Sequence, residues 1–164
     1  MANTVRMILM SGMMLGLIAC GSLQSAQQSP VAEYPFRHSA FDQKVAWKTS
    51  LIDRNLVING LLKNVRYLQI DDVELTVSVL DKDNKTLASN RILLLPVPIK
   101  MDDYVPFGLT VENVTLTRGD VLSFLIKYRA YDGDSSSFTW LSSFKTDALT
   151  GATINEEIVN PDRW

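Results

Sequence analysis

From about Phe36 onward, apolar and polar residues alternate with a period of two. Val73, Leu75, Val77 and Val79 interleave with Glu74, Thr76, Ser78 and Leu80. Successive side chains of a strand point to opposite faces, so this spacing predicts a strand with one buried face. Leu122, Phe124, Ile126 and Tyr128 repeat the pattern against Ser123, Leu125 and Lys127, whose mixed polarity suits a central strand. Phe138, Trp140 and Phe144 share one parity across Ser142. Leu56, Ile58 and Leu62 suggest an earlier strand, with Val57 on its other side. No segment of this region holds a helical period, and no internal repeat is present.

Turn chemistry separates the runs. Asp81-Lys82-Asp83-Asn84-Lys85 reads as a hairpin loop, and Arg118-Gly119-Asp120 and Asp132-Gly133-Asp134 read the same way. Pro96 and Pro98 end the run from Ile92 to Leu95 or place it at a sheet edge. The count comes to roughly seven strands at the spacing of a sandwich. The expected fold is an all-β, Ig-like antiparallel β-sandwich over 36–146, with a small barrel as the alternative. An irregular tail follows over 147–164, in which Ile154 and Ile158 could pin a loose segment and Trp164 either docks on the domain or frays.

The first residues are a separate matter. Arg6 precedes an apolar stretch from Met7 to Ala19, which holds Met7, Met10, Met13 and Met14. A membrane-spanning helix needs roughly 20 apolar residues, so this stretch is short for one and reads as the apolar part of a signal peptide over 1–19. It ends in Leu17-Ile18-Ala19-Cys20-Gly21, and Cys20 is the only cysteine of the chain. One thiol cannot form an internal disulfide and needs another use. The next residues are rich in Ser, Gln and Pro, which predicts a flexible tether over 20–35.

Leu17-Ile18-Ala19-Cys20 resembles the lipobox of bacterial lipoproteins. The resemblance implies cleavage before Cys20 and a diacylglycerol thioether on its sulfur, with palmitate-type acyl chains inserted in a membrane. Gly21 in the next position implies the outer membrane, periplasmic face, if the cell is Gram-negative. The alternative is a free or buried cysteine in an N-terminal helix.

The domain offers little catalytic chemistry. His38 is the only histidine, and at the margin of the domain it is expected to be exposed. No Gly-x-Ser-x-Gly elbow, phosphate loop or Cys/His zinc spacing occurs. Asp81, Asp83 and Lys85 begin like a calcium loop, but a lysine holds a ligand position and Ile92 stands where the bidentate Glu belongs. Asp132-Gly133-Asp134-Ser135 is better read as a turn than as an ion site. Asp71-Asp72 and Glu156-Glu157 are adjacent in sequence, and in a regular strand neighbours face opposite ways. No metal, cofactor or catalytic residue is therefore expected. The net charge of -2 and the scattered Lys and Arg give no basis for nucleic-acid binding.

Three further segments resemble the FxLYD-type and related Ig-like domains of bacterial envelope proteins, between Leu56 and Tyr128. They are Gly60-Leu61-Leu62-Lys63-Asn64 as a turn after a strand, Val77-Ser78-Val79-Leu80-Asp81 at the naming motif, and Arg118-Gly119-Asp120 leading to Phe124. Pro106-Phe107 is a rival match for the last. The naming motif keeps only its Asp and its apolar character. The resemblance implies a sandwich and transfers no catalytic residue. The functional expectation is an envelope lipoprotein, anchored through Cys20, whose domain is a non-catalytic protein-interaction or structural module with an envelope protein as partner. The alternative is a module for a small glycan or peptide ligand, with Trp47 and Trp140 as its aromatic platform.

Overall fold

The structure, a computed structural model, describes residues 30–94, 98–131 and 137–154. The expected signal peptide, Cys20 and most of the expected tether lie outside these residues. So do Pro96, the Asp132-Gly133-Asp134 turn, Glu156-Glu157, Ile158 and Trp164.

Eight strands follow one another: β1 (Phe36–Ser39), β2 (Gln43–Ile52), β3 (Asn55–Asn64), β4 (Gln69–Leu80), β5 (Thr86–Leu93), β6 (Tyr104–Val111), β7 (Val121–Tyr131) and β8 (Ser137–Asp147). They form two four-stranded antiparallel sheets, ordered β1-β2-β3-β6 and β5-β4-β7-β8. In immunoglobulin terms β2, β3 and β6 take the places of strands A, B and E, and β5, β4, β7 and β8 those of C′, C, F and G. The sandwich is thus Ig-like, with β1 added outside β2, and the separate sheets rule out the barrel.

Local chemistry accounts for the hairpins. Asp53 and Arg54 join β2 to β3 with φ of 48° and 65°, the pair of positive values that a two-residue type I′ turn requires. Between β4 and β5 the Asp81 carboxylate accepts hydrogen bonds from the amides of Asp83 and Lys85, each at 2.9 Å. That role explains the aspartate without an ion. Arg118-Gly119-Asp120 is a turn but not a hairpin, because β6 and β7 lie in different sheets. There Asp120 ties the turn by accepting from the Thr117 amide at 2.6 Å and its hydroxyl at 3.0 Å. Gly60 to Asn64 form the second half of β3 rather than a turn.

The core lies between the sheets. Leu75 pairs with Ile126 and Val77 with Phe124 across β4 and β7, all buried. The strand that periodicity misses most completely is β2. Val45, Ala46 and Trp47 are apolar in succession because both faces of β2 are covered there. Trp47 faces the core, whereas Ala46 packs with Val31 and Leu61, with Tyr34 and Tyr104 alongside. Residues 31–35, expected to belong to a flexible tether, therefore pack against the domain instead. Val31 is 2% exposed, and residues after Pro30 strap the outer face of the first sheet.

Gly60 sits opposite both Trp47 and Phe107. A Cβ there would stand 2.4 Å from the Ala46 carbonyl oxygen and 2.4 Å from the Phe107 ring. Replacing Gly60→Ala is expected to destabilise the domain by about 1–3 kcal/mol through overpacking. Urea unfolding followed by tryptophan emission measures this as a lower midpoint with an unchanged slope.

Candidate functional site

One end of the sandwich gathers the β1–β2 turn (Ala40 to Asp42), the β3–β4 loop (Val65 to Leu68) and the start of β8. The registers place them together, because Gln43 pairs with Asn64 and Gln69 with Tyr131. In an immunoglobulin variable domain this is the end that carries the binding loops.

Asn64 fixes the β3–β4 loop from inside. Its amide nitrogen donates to Leu68 O at 2.8 Å and Ile99 O at 3.1 Å, and its oxygen accepts from the Arg66 amide at 2.9 Å. The loop then presents Arg66 and Tyr67. The Arg66 guanidinium lies 4.7 Å from the Trp140 ring centroid and 5.1 Å from that of Phe41. Such stacking suits a planar, weakly hydrated cation. Among the described residues Arg66 forms no ion pair, and its buried Nη1 has no hydrogen-bond partner. Phe41 is 84% and Tyr67 75% exposed, an unusual display for two aromatics on one loop end.

Behind this surface the Tyr128 hydroxyl donates a hydrogen bond to the Asp42 carboxylate. Burial above all, then this bond, pushes the Tyr128 phenol up to about 12, while Arg66 pulls the other way. Tyr128 is therefore a fixed donor at neutral pH. Gln43 is 1% exposed on the same inner side, with neither end of its amide hydrogen-bonded.

Trp140 pairs with Tyr128, so it belongs to the inner face of β8, as does Phe138 opposite Ala130. Phe138 and Trp140 are nevertheless 50% and 41% exposed. The reason is length. The four residues of β1 cover only the far half of the eleven-residue β8. Beyond Ser39 no strand of the first sheet faces the aromatics among the described residues.

Trp140 is thus accessible, but Trp47 is not. At 0% exposure, beneath Phe36 and against Phe124 and Phe144, Trp47 cannot form part of a ligand platform. His38 is likewise buried, not exposed at a margin. It is 5% exposed and stacks on Phe144 at 3.8 Å between ring centroids. Burial pulls its imidazole from 6.5 down to about 4, against the charge of Asp42. The adjacent Asp71 and Asp72 also depart from expectation. A bulge in β4, with Asp72 at φ 47°, lets both reach Arg129, at 3.1 and 2.7 Å. Both are engaged in a part-buried ion-pair network with Arg129. Among the described residues no group of His, Cys, Asp and Glu could hold a metal ion.

Sequence reading missed Phe41, Asp42 and Arg66. Tyr128 and Asp42 are 86 positions apart, and no local pattern joins them. Val65-Arg66-Tyr67 between two strand patterns was the one available signal.

No protein-family model matches the chain, and neither does any curated protein sequence. Among solved structures it is similar to the yeast GGA1 GAE domain, with TM-score 0.41 and 13% identity over 66% of this chain and 96% of that one. It is also similar to the GAE domain of GGA2p from Saccharomyces cerevisiae (TM-score 0.35, 14% identity, 67% and 96% covered). A third likeness is to the Parabacteroides merdae beta-glucuronidase (TM-score 0.35, 16% identity), of which the match spans 12% against 61% of this chain. Likenesses of this size carry no residue and no activity over to this chain.

The buried imidazole sets a pH dependence. A folded-state value below the unfolded one means that His38 leaves stability intact above about 6.5 and erodes it as pH falls toward 4. The expected result is a steeper loss of thermal stability between those limits in the wild type than in His38→Phe, which keeps the stacked ring. Melting curves across that range check it.

Proposed function

We propose that this chain is a lipid-anchored envelope protein whose Ig-like domain is a non-catalytic module for contact with another envelope protein. The observation that carries the anchoring is the run Leu17-Ile18-Ala19-Cys20 at the end of an apolar segment, with Cys20 the chain's single cysteine. Each buried methylene of an acyl chain contributes about 0.8 kcal/mol, so two chains hold a protein on a bilayer without help from its surface. The domain's own surface is then available for contacts.

The exposed Phe41, Tyr67 and Trp140 around Arg66 support the contact role, since aromatics and arginine dominate protein interfaces. The geometry of the two best candidates for proton transfer favours a non-catalytic reading. His38 is stacked in the core and Tyr128 is committed to Asp42. The strap at Val31 brings the chain into the domain on the outer face of the first sheet, whereas β8 belongs to the second. A small-ligand module is the second reading, favoured by the half-exposed indole of Trp140.

Expression with its own leader in a lipidating host tests the anchoring. The intact mass should be that of a chain beginning at Cys20 plus acyl groups, partitioning into detergent, and Cys20→Ala should abolish both. An unprocessed, unacylated wild-type product would overturn the proposal.

A further inference from the structure

We infer that the outer edge of β8, unpaired from Ser137 to Phe144 among the described residues, receives an extended peptide segment of a partner, paired as an added strand, with a carboxylate set against Arg66. The inference rests on the domain being an interaction module and names its surface and partner class.

The edge itself is the first observation. At its far end β8 is paired on both sides, by β7 and by the returning chain. Ile154 N donates to Lys145 O at 2.8 Å and Thr146 bridges Thr153. From Ser137 to Phe144 only β7 pairs with it among the described residues. That stretch reads Ser-Phe-Thr-Trp-Leu-Ser-Ser-Phe, with no charge and no proline. Exposed edges are normally blunted by charge, proline or brevity. The other edges of this sandwich are. β1 has four residues, β6 contains Pro106, and β5 carries Arg91 and is linked across to β6 by Asn90 Nδ2 donating to Thr110 O at 2.7 Å. Among the described residues, the stretch of β8 from Ser137 to Phe144 alone lacks such protection.

Side chains add the second observation. Phe138 and Trp140 face inward but lie beyond the reach of β1, so alternate residues of an added strand would pack beside them. Backbone pairing supplies affinity in this mode, and side-chain pockets supply selection. The third observation is charge. Arg66 stacks on Trp140 and forms no ion pair among the described residues. A carboxylate on the incoming strand would complete it with charge-assisted hydrogen bonds. This argues against a second copy of the chain pairing edge to edge, because residues 137–144 contain no acid to offer.

The test uses the processed, acylated protein in detergent and three synthetic peptides. The first alternates Thr and Val around one central Glu. The second has Gln in its place. The third is the Glu peptide N-methylated along one backbone edge. Calorimetry should show the Glu peptide binding about tenfold more tightly than the Gln peptide, a difference of about 1.4 kcal/mol, and the N-methylated peptide not binding. Arg66→Gln should erase the preference for Glu, and amide shifts should map to Ser137 through Phe144. Absence of binding at millimolar peptide, indifference to N-methylation, or an unchanged Glu preference in Arg66→Gln would each overturn the inference. Binding seen only after residues 155–164 are removed would assign the edge to the chain's own C-terminal segment instead. Shifts at Trp140 with chito-oligosaccharide but no peptide would transfer the surface to the small-ligand reading. An envelope protein captured equally by wild type and Arg66→Gln would sink the edge assignment while leaving the interaction module standing.

Discussion

The rings that join β1 and β2 to β7 and β8 hold the sandwich closed. Phe124 and Phe144 stack at 4.6 Å, Trp47 meets them at 4.9 and 5.6 Å, and His38 and Phe36 extend the column on either side. Cys20, the lone cysteine, leaves the domain without a disulfide, so packing between the sheets must do what a cross-sheet bridge does in antibody domains. Other features accommodate this column. Gly60 leaves room for Phe107 beside Trp47, and Gly151, at φ 68°, lets the turn after β8 approach the Phe36 ring. The buried His38 is held neutral because a charged imidazole in the stack would lose its solvation.

The column also decides where the sandwich is open. It lies toward the far half of β8, at the level of Phe144 and Phe36, and β1 stops at Ser39. Past that level the inner face of β8 meets loops instead of a strand. There the contacts change character, from apolar stacking to the Tyr128–Asp42 hydrogen bond, the Asn64 clamp and the Arg66 stack on Trp140. A polar, loop-built end of this kind is where an Ig-like sandwich can vary its surface without disturbing its core. The proposed contact surface and the proposed partner strand both grow from this single geometric mismatch between a short β1 and a long β8.

Much of the sandwich was legible in the sequence because its central strands have one wet and one dry face. Val73 to Val79 and Leu122 to Tyr128 alternate cleanly and occupy β4 and β7 as expected. β2 was not legible, since Val31 covers its outer face and turns Val45-Ala46-Trp47 into an unbroken apolar run. Parity correctly grouped Phe138, Trp140 and Phe144, but burial along that row depends on the length of a strand in the other sheet. For the same reason Trp47 and Trp140, similar as candidates on paper, separate into a core residue and a surface one. The constellation of Asp42, Arg66 and Tyr128 is built from three elements distant in sequence, which one-dimensional patterns do not register.

The open stretch of β8 is the claim on which the proposed contact surface turns, and native-state amide exchange on the full chain tests it most directly. Amides of β7, and those of β8 directed toward it, should be strongly protected. Alternate amides from Ser137 to Ser143, directed away from β7, should exchange as fast as those of exposed loops, with protection on the outer side returning at Asp147, whose amide donates to Ala152 O at 2.8 Å. Uniform slow exchange at every amide from Phe138 to Ser143 would mean that the edge is already occupied, and would contradict the account.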